Sequence, residues 1–271
     1  MNGRLGWWRA SAIAMAVGGA RALGGRWRYC VVCDRRVPAF LPWRGGSTAA
    51  PPLMRALHMV GSDLDHFACP RCGANDRDRH LRLYFERGGV AERLRGARIL
   101  HFAPEAPLKA WIATMRPALH VLADLYPARP EVWRINLEEI PFSDGAFDVV
   151  IANHVLEHVS NLDHATGEIV RVLAPGGIAV LQTPWCRGLA ATLDDPGVQS
   201  PEARVQLYGQ EDHVRLFGRD VYARIGMSGL EALPMPHEVV LRDIDPDLYG
   251  VNPEEDLMLF TRPADRTVLA D

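Results

Sequence analysis

The feature that most constrains this chain is an alternation of short apolar runs with amphipathic stretches between residues 98 and 182. Arg98-Ile-Leu-His-Phe reads as a short buried strand, Pro107 to Met115 as a helix, and Ala118 to Leu122 as a second strand closing on Asp124. Phe147-Asp-Val-Val-Ile-Ala-Asn is almost purely apolar, as expected of a parallel strand covered on both faces. Leu162 to Leu173 has helical periodicity and stops at Pro175-Gly-Gly, and Ile178 to Gln182 is the next strand. This succession predicts an α/β fold with a mostly parallel, Rossmann-like sheet. Two later strand-like runs, Glu238-Val-Val-Leu and Asp256-Leu-Met-Leu-Phe-Thr, suit an antiparallel hairpin at its edge.

At 271 residues, 48% of them hydrophobic, the chain can bury one such core and still spare a small module. Charged residues at 23% fit a globular protein. No apolar run reaches the ~18 residues a transmembrane helix needs. Ser11 to Leu23 is Ala/Gly-rich, only mildly apolar and broken by Gly18 and Gly19, so residues 1–27 are expected to be a loosely packed extension. Net charge is uneven: residues 1–98 carry 17 Arg against 7 Asp and Glu, a balance of +10, and the rest carries −13. Scattered arginines of this kind complement an acidic remainder more readily than they form a nucleic-acid footprint.

Residues 28–95 hold two Cys-x-x-Cys pairs, Cys30/Cys33 and Cys69/Cys72, with Gly73 directly after the second. A Cys-x-x-Cys turn lets two thiolates converge on one metal, and two turns make a closed tetrahedral zinc site. The span between the pairs is long and contains a Gly/Pro-rich loop from Gly45 to Pro52, so we read a zinc ribbon with an insertion. A redox pair is the competing reading, but it normally stands alone at a helix start after a strand. Paired thiols that bind metal suit a reducing cytoplasm. Asp76 to Leu94 reads as a linker helix interrupted at Gly88-Gly89, leading into a main domain at 96–271.

The stretch IPFSDGAFDVVIANHVLEHVSNLDHATGEIVRVLAPGGIAVLQTP, residues 140–184, resembles the heart of the class I S-adenosylmethionine (SAM)-dependent methyltransferases. The likeness runs from about residue 97 to 233 and rests on several blocks at the right spacing. It looks closest to a bacterial subgroup with a front cysteine module, HFAPE at the first strand, and a block similar to DDPGVQSPEARVQLYGQEDHVRLFGRD.

The resemblance implies a SAM site beyond the carboxyl ends of the strands. His101, Ala103 and Glu105 then stand where the family has an acidic residue followed by glycines: Ala103 permits close approach, and Glu105 pairs with the amino group of SAM. Asp124, with Leu125 after it, falls where a carboxylate accepts the ribose hydroxyls; a turn Asp is the alternative. Asn136 and Leu137 fall beside the adenine, and Asn153 faces the transfer site.

His154 is a candidate general base, or a residue that packs on the cofactor or holds its loop. His158, one helical turn further on the same face, is assigned to structure, with Glu157 turned sideways. Thr192 to Asp220 is polar and charge-dense, as substrate lids are, and its Asp212-His213 is a candidate acid/base or acceptor-orienting pair. The same charges also suit a salt-bridged surface helix with Arg204, Arg215 and Arg219. Cys186 is expected to be a packed free thiol.

Three functions follow from these residues. The first is methyl transfer from SAM to an O or N atom of a small-molecule or sugar-containing metabolite. The second is methylation of RNA, using the basic zinc module. The third is a non-catalytic binding protein with a degenerate SAM pocket.

Overall fold

The computed structural model describes residues 26–264. The Ser11–Leu23 segment lies outside the described residues. A hairpin of β1 (Arg28–Cys30) and β2 (Arg35–Val37) opens the front module, followed by α1 (Pro52–Ala56) and β3 (Met59–Val60). The linker is α2 (Asp76–Arg87) and α3 (Val90–Leu94). Asn75 caps α2 through a reciprocal pair of bonds with Asp78, and Gly89 at φ +75° resets the chain for α3.

The main sheet takes β4 (Arg98–Phe102), then α4 (Ala106–Thr114), β5 (Leu119–Asp124) and β6 (Trp133–Arg134). The chain then crosses to β7 (Phe147–Ala152), α5 (Leu162–Val172) and β8 (Leu173–Val180). After β9 (Trp185–Cys186) come α6 (Pro201–Tyr208), α7 (Val221–Gly226), β10 (Glu231–Ala232), α8 (His237–Val240), α9 (Pro246–Tyr249) and β11 (Leu259–Thr261). The strand order is β10-β11-β8-β7-β4-β5-β6, parallel from β8 to β6, with β11 and β10 antiparallel at the edge. The predicted Rossmann-like sheet and its antiparallel edge are present.

Alternate residues of the central strands feed two cores. Leu100, Phe102, Val150 and Ala152 point to the α5 face, against Leu162, Ala165 and Ile169. Ile99, Val149 and Ile151 point to the other, against Leu108 and Ile112 of α4 and Tyr84 and Phe85 of α2. Burial on both faces is the reason β7 tolerates so few polar residues.

Three local expectations need correction. Glu238–Leu241 is not a strand: Pro236 starts α8 there, and Leu241 drops into the second core, leaving Glu231–Ala232 as the edge strand. Pro175-Gly-Gly lies inside β8 and not before it. The pairing with β7 shifts register there, and a Cβ on Gly177 would sit 2.8 Å from the Ala174 carbonyl. Residues 154–160 form turns, so the one-face geometry of a helix does not apply to His154 and His158.

The front module is built into the fold. β3 pairs antiparallel with β9, and Met54 of α1 packs with Cys186, Tyr208 and Leu216. The Arg79 guanidinium is buried under the module and donates to the carbonyls of His66, Phe67, Ala74, Tyr249 and Gly250. Its charge lies 3.8 Å from the Phe40 ring centroid. Among the described residues, no helix is long and apolar enough to cross a membrane.

Candidate functional site

Register decides where the site forms. Phe102 of β4 stands level with Ala123 of β5 and Ala152 of β7, so Ala103, Asp124 and Asn153 lie at the same level along the carboxyl ends of their strands. The chain leaves β4 toward β5 on one side and returns to β7 on the other, which makes this crest the topological switch point. Ala103 takes φ +46°, a left-handed turn that a small side chain tolerates, and its amide donates to the Ala123 carbonyl at 2.8 Å.

Around that turn sits a group of buried polar atoms with unmet bonding capacity. Asn153 donates its side-chain amide to Glu105 Oε1, while Asn153 Oδ1 and Glu105 Oε2 have no partner among the described residues. His101 is fully buried behind them, its Nε2 3.4 Å from Glu105 Oε2 but out of line for a hydrogen bond, and its ring stacks on His120. Burial pushes the Glu105 carboxyl up, but His101 and Asn153 outweigh it and hold it below the usual range.

The first turn of α2 roofs this spot, which the sequence did not reveal. Burial, aided by the charge of Glu105, pushes the Asp78 carboxyl up to about 7, and Asp78 Oδ1 is unpartnered. Arg77 Nε is buried without a partner, and Arg77 lines a narrow cavity with His80, Asn153, Gln182 and Glu255. No local motif marks these residues; only packing of α2 against the sheet brings them here.

At the end of β5, Asp124 Oδ1 accepts the Tyr126 amide at 2.8 Å, closing a turn that leaves Leu125 and Tyr126 exposed. Asn136 is exposed with its Oδ1 taken up by the Glu138 amide at 3.0 Å, and Leu137 is buried.

The end of β7 carries the densest cluster. His154 takes φ +53° and its amide donates to the Gln182 carbonyl, which turns its side chain inward. Its Nδ1 is 3.2 Å from Glu157 Oε1 and its Nε2 3.9 Å from Glu255 Oε1. Glu157 is buried, not turned aside, and accepts the Thr183 hydroxyl at 2.9 Å. Burial works to raise its pKa, but His154 and the further histidines at 213 and 158 hold it far below the usual carboxylate range.

The Asp212-His213 pair is split. Asp212 faces His158 at 3.4 Å, whereas His213 is buried, bonded through Nδ1 to the Tyr208 carbonyl, and set edge-on to His158. Burial lowers the His213 pKa, so the ring is neutral near pH 7.

Residues 192–220 are clamped onto the loop after β7. Arg215, one of the charges that also suited a surface helix, is instead buried and donates to the carbonyls of Leu156, Val159 and Ser160 while pairing with Asp194. A carbonyl-rich pocket is what its planar five-donor fork satisfies. Cys186 is buried, and burial pushes its thiol up to about 12, the setting of a packed free thiol. A larger cavity of about 450 Å³ lies between residues 47–65 and Asn252, and its wall residue Gly61 packs on Pro184, directly before β9.

In the front module, one sulfur from each of Cys30, Cys33, Cys69 and Cys72 lies within 4.8 Å of the others, with no disulfide among the described residues. Gly73 at φ +76° closes the second turn by donating to the Cys69 carbonyl. Four converging sulfurs fit a closed tetrahedral metal site.

Known proteins share parts of this chain. An uncharacterized methyltransferase of Mycobacterium sp. (strain JLS) is 47% identical over 53 residues, which is 19% of this chain and 21% of that protein. The ajmaline N-methyltransferase of Rauvolfia serpentina is 33% identical over 117 residues, covering 40% of this chain and 36% of its own length. The chain thus spans about a fifth to a third of these curated relatives. A SAM-dependent methyltransferase structure from Mesorhizobium loti aligns at TM-score 0.44 and 14% identity, over 66% of this chain and 98% of that one. Residues 111–181, from α4 through β8, match the family model described as "Methyltransferase domain".

Proposed function

We propose that this chain is a SAM-dependent methyltransferase acting on a small-molecule acceptor. The observation that carries the reading is the set of buried, unpartnered polar atoms at the switch point: Glu105 Oε2, Asn153 Oδ1, Asp78 Oδ1 and Arg77 Nε. Such atoms are costly to leave unmet, and an amino-acid end bearing both a cation and an anion satisfies them. Glu105 and Asn153 would hold its amino group and Arg77 its carboxylate. Asp124 would accept the ribose hydroxyls, with Leu125, Tyr126 and the Asn136-Leu137 segment flanking the base. His101 positions Glu105 from behind. When bound, SAM supplies a methyl group activated by a sulfonium.

His154 is the proton acceptor if the acceptor atom arrives protonated: it stands at the end of β7, with Glu157 positioned to stabilise its charged form. The cavity beside Gly61 and Pro184 supports a small-molecule acceptor, as does the named activity of one matched relative, the ajmaline N-methyltransferase. Its lining, Met54 and Met59 with Arg55, His58 and Asp63, suits a partly apolar, partly polar metabolite. The four cysteines hold structural zinc in this reading, in a reducing cytoplasm.

Calorimetry with S-adenosylhomocysteine, followed by labelled methyl transfer into a metabolite extract, tests it. Binding with transfer into small molecules is the expected result. Absence of binding refutes the SAM site, binding without transfer points to a non-catalytic binding protein, and transfer into RNA alone refutes the acceptor.

A further inference from the structure

We propose that Glu157, His158 and His213 form a second metal site, for a divalent transition-metal ion such as Zn²⁺, separate from the four cysteines. One ligand atom from each of the three lies within 4.8 Å of the others. Both rings are oriented through Nδ1: His213 toward the Tyr208 carbonyl at 2.9 Å, His158 toward the Asp212 carbonyl at 3.3 Å and its carboxylate at 3.4 Å. Carbonyl and carboxylate oxygens only accept, so each ring donates from Nδ1, and the neutral imidazole with that tautomer presents Nε2 as a lone pair. Metal-bound histidines are fixed in this way.

The second observation is burial without partners. His213 Nε2 and Glu157 Oε1 are both buried with no hydrogen bond among the described residues. His154 Nδ1, 3.2 Å from Glu157 Oε1, is the competing partner for that oxygen, but it leaves His213 Nε2 unmet. A cation between two lone-pair donors satisfies both at once.

Two imidazoles and one carboxylate suit zinc, and three protein ligands leave a coordination position open. His158 is one-third exposed, which gives an ion a way in. Glu157 and His158 belong to the loop after β7 and His213 to the 192–220 insertion, so the ion would join these two segments. The Val214 amide already donates to the Glu157 carbonyl at 2.9 Å, so the backbone is held in register for it. The site does not rest on the methyltransferase reading.

The test uses full-length protein loaded with Co²⁺ alone, then desalted, with metal counted per chain and visible absorption recorded. Wild type is expected to retain one equivalent with nitrogen and oxygen ligands, besides the thiolate-bound equivalent that shows sulfur charge transfer. His213→Gln and His158→Gln, checked for fold by circular dichroism, are expected to lose the first by at least tenfold in affinity and keep the sulfur bands. X-ray absorption at the zinc edge on zinc-loaded wild type gives a readout that needs no variant, and a mixed shell of sulfur and nitrogen or oxygen is expected. An all-sulfur shell in wild type, or unchanged stoichiometry and spectra in both folded variants, overturns the proposal.

Discussion

Asn153, at the end of β7, donates its side-chain amide to Glu105, which opens α4 after β4. Two segments 48 residues apart are thereby locked at the switch point of the sheet. Each residue keeps one oxygen unpartnered. The lock holds a carboxylate ionised inside the protein while leaving it capacity to bind.

Glu105→Gln keeps the shape of that lock and removes its charge. Loss of one charged contact costs about 2 kcal/mol, so the Kd for S-adenosylhomocysteine should rise roughly 30-fold. Calorimetry on the folded variant measures it, and an unchanged Kd would place the ligand elsewhere.

Asp124→Asn preserves the side-chain oxygen that accepts the Tyr126 amide, and with it the turn. It removes one of two charged acceptors for a ribose. Affinity should fall roughly tenfold, or ~1.4 kcal/mol, with little change in thermal stability. A fall in melting temperature without loss of affinity would make Asp124 a turn residue only.

Arg79→Met leaves five carbonyls to find new partners and removes the cation over Phe40. Destabilisation of about 3 kcal/mol is expected, seen in urea melts and as faster proteolysis of residues 28–75. The front module should loosen first, because Arg79 joins it to the Tyr249–Gly250 segment.

Asp76 gives a pH signature. Burial, then the charge of Glu255, pushes its pKa up to about 7 from 3.8. A carboxyl raised on folding favours the protonated native state, so its contribution is lost as pH climbs from about 4 through 7. Asp76→Asn keeps an acceptor for the Asp63 amide and removes this slope. Relative to wild type, it should gain about 2 kcal/mol between pH 5 and pH 8 in denaturant titrations. Glu105 and Glu157 act in the opposite sense: their pKa values are depressed, so their contributions are present at neutral pH and vanish as pH falls through their native values.

Cys69→Ser removes one of four converging sulfurs and leaves the other three in place. If zinc holds the module, the variant should lose about one metal equivalent and a few kcal/mol of stability, read by metal analysis and thermal melts. Equal metal content in variant and wild type would return the cysteines to a redox role.

Much of the architecture was legible along the chain because it depends on short-range pattern. A strand buried on both faces must be apolar, which exposed Phe147–Ala152, and the doubled Cys-x-x-Cys spacing exposed the sulfur cluster. The strand-end positions of Ala103, Asp124 and Asn153 were legible because each closes or follows a short apolar run, and parallel register then aligns them. The tail misled for the same reason: Glu238-Val-Val-Leu is a short apolar run, and such runs suit a strand or a buried helical turn equally.

The sequence by itself determined the alternating elements, the strand ends and the cysteine pairs, since these follow from periodicity and local turn chemistry. Only the tertiary structure decided that α2 roofs the crest with Arg77 and Asp78, that Glu255 reaches His80 and Gln182, and that Glu157 and His158 meet His213. Those partners lie tens to well over a hundred residues apart, and burying a charged group makes the identity of its distant neighbours the deciding term. No local pattern carries that information, because the cost of a buried lone pair is set by whatever the fold places opposite it.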